Sequence, residues 1–160
     1  MGREFTRTQF GVSRYELEVE IAAPPERVWK ALIEETSAWW PRDFYTVKDP
    51  KGYIIEPRLG GRMYEDAGGG NGLVWYTVTG IEPGRRLQLT GNLFPAYGGP
   101  ATMLLAIELE PRGAGTALKL SDCAFGRVDE KLSTSLEEGW DVLFGRAFKC
   151  HVEGARPGRG

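Results

Sequence analysis

The chain has 160 residues, 41% of them hydrophobic, a size at which one domain folds around a single core and buries roughly 70% of its unfolded surface. Lys and Arg (20) nearly balance Asp and Glu (22), giving a formal net charge of −2 with no basic block, which excludes a nucleic-acid binder. No run approaches the ~20 apolar residues of a membrane span, and residues 1–13 hold no apolar stretch of signal-peptide length, so a soluble cytoplasmic protein is expected. Cys123 and Cys150 form no CxxC pair and His151 is the single histidine, so neither a disulfide framework nor a metal site is expected, and no cofactor is implied.

Residues 1–13 lack periodicity and read as a disordered arm or an expression remnant. Tyr15, Leu17, Val19 and Ile21 then alternate with Glu16, Glu18 and Glu20, the period-two pattern of a strand with one wet face. Pro24-Pro25-Glu26 opens a helix over about 25–35, with Val28, Trp29, Leu32 and Ile33 on one face. The connector 36–43 carries Trp39-Trp40-Pro41, where proline stops any continuing helix.

Two short strands, at Tyr53-Ile54-Ile55 and over 62–66, are expected to pair. The run Gly68-Gly69-Gly70-Asn71-Gly72 lacks the Lys-Ser/Thr of a phosphate loop and precedes a strand-like segment, so it reads as a hairpin turn with Asn-Gly. Strands follow over 73–81, 86–90, 102–109 and 116–125, with a flexible loop at 92–100 carrying Phe94 and Tyr97. The last segment, 128–152, places Leu132, Leu136, Trp140, Leu143, Phe144, Ala147 and Phe148 at helical spacing, leaving Glu137, Asp141, Arg146 and Lys149 to solvent. Residues 153–160 are rich in glycine, arginine and proline and read as a disordered tail. An antiparallel sheet with one apolar face needs a cover, and this helix is the one segment long enough to supply it.

The order β-α-β-β-β-β-β-β-α resembles the START-like superfamily, with its helix-grip or pollen-allergen-like fold. The motifs that carry the likeness run over 14–152: the opening strand into APPERVWKAL, the Trp-Trp-Pro connector, PRLGGRMYE, LVWYTVTGIEPGRRLQLTG, LEPRGAGTALKL and EEGW. The branch it is most similar to is named after the activator of the heat-shock chaperone ATPase. The resemblance implies an α+β domain whose curved antiparallel sheet wraps a long C-terminal helix around a ligand cavity. Its members include carriers, cyclases, hormone receptors and chaperone partners, so it constrains fold more than function. Where many relatives have LxLxH at the end of the last strand, this chain has Leu118-Lys119-Leu120-Ser121-Asp122, and alternation turns Asp122 towards the helix.

Asp122 reads either as a general base or ligand anchor with a raised pKa, or as a strand-end carboxylate held by hydrogen bonds or water. Arg62 and Tyr64 share one face of their strand and Met63 and Glu65 the other, and only one pair lines the interior. Trp75, mid-sheet, and Trp140, mid-helix after Gly139, are the foremost candidates for a pocket wall, though aromatic residues pack ordinary cores too. Trp29, Leu89, Leu105, Phe125, Phe144 and Phe148 complete the expected wall, with Tyr64, Tyr97 and Asp122 as its polar groups. Phe94 and Tyr97 could form a lid. The expected function is binding of a lipid, aromatic or polyketide-like molecule. A cyclase or dehydratase using Asp122 and a tyrosine, and a chaperone-partner or stress-response module, are the alternatives. An exposed edge strand would permit a homodimer.

Overall fold

In the computed structural model, which describes residues 9–154, the glutamates of the first strand face solvent while Val19 and Ile21 are buried. This strand, β1 (Gly11–Ile21), leads into α1 (Pro25–Glu34) with proline in the first turn, and then into the short α2 (Thr36–Trp39). Six strands follow: β2 (Gly52–Ile55), β3 (Arg62–Gly68), β4 (Asn71–Glu82), β5 (Arg86–Leu93), β6 (Ala101–Arg112) and β7 (Gly115–Gly126). They form one antiparallel sheet in the order β1-β7-β6-β5-β4-β3-β2. The chain closes with a C-terminal helix that starts as α3 (Glu130–Trp140), widens to π-helical geometry over Asp141–Phe148 and ends as α4 (Lys149–Glu153). This is the expected α+β helix-grip architecture. No helix among the described residues is long and apolar enough to cross a membrane.

Several boundaries differ from expectation. Gly11, Val12 and Ser13 belong to β1, because they continue its register opposite Gly126, Phe125 and Ala124. The remainder of the expected arm, residues 1–8, and most of the expected tail, residues 155–160, lie outside the described residues. The C-terminal helix runs through Glu153 and stops at Gly154, whose left-handed φ of 70° suits glycine. The hairpin after β3 turns on Gly69 and Gly70, both at positive φ, while Asn71 already pairs with Gly68. In the expected loop 92–100, Asn92 and Leu93 still belong to β5 and Pro95–Tyr97 forms a 3₁₀ turn.

The core lies between the concave face of the sheet and the C-terminal helix. Phe144 and Phe148 are fully buried, with ring centroids 5.4 and 4.8 Å from Trp39. The helix is pinned by polar contacts as well. Tyr15 Oη donates to Asp141 Oδ1 at 2.6 Å, Lys149 Nζ to the Glu20 carbonyl at 2.6 Å, and the Ala22 N–H to Glu153 Oε1 at 2.8 Å. Near its end His151 Nε2 lies 2.6 Å from Glu35 Oε2, while Arg27 Nη1 holds Glu35 Oε1 at 2.6 Å. These two partners pull the Glu35 carboxyl down to about 2. Replacing Phe148 with alanine should destabilise the domain by roughly 3–5 kcal/mol in chemical denaturation. An unchanged denaturation midpoint would contradict this placement.

Candidate functional site

Between the middle of the sheet, the connector after α2 and the first half of the C-terminal helix lies an open-mouthed cavity of ≈ 280 Å³. Its floor comes from strands. Trp75 and Tyr76 are adjacent in sequence and both line it, which a regular strand forbids because neighbours point to opposite faces. A register shift resolves this: Met63 pairs with Tyr76 and Tyr64 with Val74, leaving Trp75 as the extra residue of a bulge. Gly91, opposite Tyr76, makes room for its ring, since a Cβ there would meet the ring at 2.9 Å. Leu93 and Met103 extend the floor across β5 and β6.

The connector supplies a second wall through Trp40, Phe44 and Thr46, beside Tyr53 of β2. Pro41 ends the helical path after Trp40, which then stacks on Tyr53 with centroids 3.7 Å apart and planes 14° from parallel. The connector is held by Glu65, which is fully buried: its carboxylate accepts the Thr46 N–H at 2.9 Å and the Val47 N–H at 2.9 Å. Ser135, Leu136, Gly139 and Trp140 form the helical wall. A Cβ on Gly139 would meet only Phe44, at 3.8 Å, so this glycine borders space rather than a strand.

Asp122, only 3% exposed, anchors Trp140: its Oδ2 accepts the indole N–H at 2.9 Å. The other oxygen, Oδ1, is buried without a hydrogen-bond partner among the described residues. Burial raises the Asp122 pKa, and the Trp140 bond opposes that rise. Asp122 is not itself part of the wall and meets the cavity through Trp140. The Tyr76 hydroxyl donates to Met103 Sδ at 3.6 Å, and burial followed by the Asp122 charge holds its pKa well above the ordinary value. Trp40 Nε1 is likewise buried without a partner among the described residues. Those residues include no cluster of His, Cys, Asp or Glu suited to a metal.

Of the residues singled out in the sequence, Trp75 and Trp140 line the cavity, and Tyr97 stands beside it with its ring 5.4 Å from Trp75. Leu89, Leu105, Phe144 and Phe148 are buried in the core outside the wall, and Trp29 is half-buried on α1. Two placements are corrected. Tyr64 lies on the outer face under the Arg62 guanidinium, 4.4 Å from its ring, because Met63 and Glu65 take the inner face. Phe125 alternates outward between buried Ala124 and Gly126 and joins Phe10 and Phe94 in a shallow outer depression. That placement also keeps Phe94, 65% exposed, away from the cavity. Trp40, Phe44 and Tyr53 were missed, their signal being the paired tryptophans before Pro41. Glu65 was missed too, although alternation with Met63 was its signal.

Residues 22–153 match the family model described as activator of Hsp90 ATPase homolog 1-like protein. The chain belongs to that family. No curated protein matches it. Among solved structures, this family member is similar to a protein from Rhizobium leguminosarum at 17% identity and a TM-score of 0.70, over 93% of this chain and 99% of that one. It resembles Ara h 8.0201 at 15% identity and a TM-score of 0.67, over 90% and 99% of the two chains. It also resembles the Aha1 dimer from Colwellia psychrerythraea, at 18% identity and a TM-score of 0.59, over 88% and 96%. These likenesses establish the START-like fold of the Hsp90-activator-like chain.

The Asp122 environment makes stability depend on pH. With a folded pKa above the ~4 of an exposed carboxyl, the native state holds more protons than the unfolded one between those two values. Stability from this group therefore falls as pH rises through that window. Asp122→Asn should gain melting temperature relative to the parent chain as pH rises from about 4 to 7. A difference in melting temperature that stays constant across that range would contradict it. Trp140→Phe, which strips Asp122 of its one partner, should cost about 1–3 kcal/mol beyond the packing change.

Proposed function

We propose that this member of the Hsp90-activator-like family binds a small, largely apolar molecule in the cavity between its sheet and C-terminal helix. The observation that carries the reading is the convergence of aromatic side chains from four separate elements, β2, β4, the connector and α3, around one open space. A β-bulge and Gly139 both contribute to that space, and neither is required by the packing of the sheet alone. The volume, ≈ 280 Å³, favours a compact aromatic or amphipathic molecule over a long-chain lipid.

A cyclase- or dehydratase-type reaction has less support. Asp122 is the carboxyl best suited to hold a proton, yet its Oδ2 is bound to Trp140 and its Oδ1 is enclosed. The Tyr76 hydroxyl faces Met103.

Native mass spectrometry of freshly purified protein, beside its denatured mass, tests the binding reading. The expected result is a reproducible small mass excess lost on denaturation, or a rise in melting temperature with members of a panel of aromatics, polyketides and lipids. No excess and no stabilisation by any of them would overturn the reading.

A further inference from the structure

The cavity wall has a distinct electrical character. Six aromatic rings border it, from Trp40, Phe44, Tyr53, Trp75, Tyr76 and Trp140, and among the described residues no Asp, Glu, Lys, Arg or His side chain does. Two buried carboxylates stand directly behind that wall. Asp122 is bound to the indole N–H of Trp140, and Glu65 to the backbone N–H of Thr46. These two N–H groups are therefore spent on anions, and the other polar side chains of the wall, among them Thr46, Tyr53, Trp75 and Ser135, are neutral. What the wall offers is chiefly ring surface with its negative quadrupole, backed by two buried carboxylates, and no basic side chain among the described residues lines it.

The partnerless Trp40 Nε1 does not alter this, because it is sealed off and presents no donor to the space. Asp122 Oδ1 is sealed in the same way, so Asp122 acts on the cavity through its field and through polarisation of the Trp140 ring rather than by contact.

We infer that the cavity selects an organic cation, an aromatic or compact amphipathic molecule bearing an ammonium group, and rejects carboxylates of the same shape. The inference rests on the cavity being a ligand site, and it adds the sign of the ligand's charge. Desolvated ammonium groups are attracted to aromatic faces, and the carboxylates behind the rings add to that attraction. An anionic ligand would meet repulsion from both carboxylates and find no cationic side chain on the wall to offset it, only neutral hydroxyl and indole groups.

Three benzyl probes separate the outcomes: benzyltrimethylammonium, its neutral carbon isostere neopentylbenzene, and the smaller anion phenylacetate. Binding of each to the full chain is measured by calorimetry or by ligand-observed NMR. Benzyltrimethylammonium should bind roughly tenfold tighter than neopentylbenzene, the factor that about 1.4 kcal/mol represents, and phenylacetate should bind weakest. Asp122→Asn, whose amide oxygen can still accept the Trp140 indole N–H, should weaken the ammonium several-fold more than it weakens neopentylbenzene. Neopentylbenzene binding as tightly as the ammonium, or phenylacetate binding as well as either, would overturn the charge inference while leaving the ligand site standing. Failure of all three probes would count against both. Should Asp122→Asn not fold, the comparison among the three probes on the unaltered chain still decides.

Discussion

A seven-stranded antiparallel sheet with one apolar face is unstable in water until that face is covered, and here the C-terminal helix covers it together with α1 and α2. Most other features of the molecule follow from that constraint. The sheet must curve to meet these helices, and its central strands must then choose between filling the space beneath the C-terminal helix and leaving some of it open. At β7 and β6 small and aliphatic side chains fill it, with Leu118, Leu120, Leu105 and Ile107 all buried. At β4 a bulge swings Trp75 and Tyr76 to the same side, and there the space stays open. The cavity thus lies where the sheet is least regular.

The elements were largely legible in the sequence because their periodicity is local. Alternation in 15–21 and helical spacing in 132–148 each reveal one face without reference to anything distant. The site was less legible because it depends on register between strands. Whether Tyr64 or Glu65 faces inward cannot be read from β3 alone; the pairing with β2 and β4 decides it, and the buried Glu65 is the counterintuitive result. Phe125 was misplaced for a simpler reason. It is apolar, yet its position in the alternation is outward, and apolar side chains occupy exposed positions often enough that hydrophobicity alone does not place them. The connector residues Trp40 and Phe44 belong to no periodic element, so no pattern could assign them a direction.

Both buried carboxylates hold other parts of the protein in place. Glu65 ties down two consecutive backbone amides of the connector, and Asp122 ties down an indole of the helix, so each clamps one side of the cavity to the sheet. Among the described residues neither receives a charged partner. The shape of the site and its electrostatic sign therefore have a common origin: the same groups that fix the walls also charge them.

The widened stretch of the C-terminal helix bears on how its position is chosen. Trp140, Phe144, Phe148 and Val152 recur every four residues and all are buried. On a helix of 3.6 residues per turn such a row drifts by about 40° at each step, and the π-helical turns over Asp141–Phe148 take up that drift, keeping the row aimed at the sheet. A row of similar bulky groups at constant intervals is, however, nearly degenerate: sliding the helix along its axis by one interval, about 6 Å, would set aromatic upon aromatic again. Greasy contacts alone would tolerate the slip. What forbids it are unlike, unrepeated contacts, the Trp140 indole on Asp122, Asp141 under Tyr15, and Lys149 on the Glu20 carbonyl, which act as keys that fit one position of the slide.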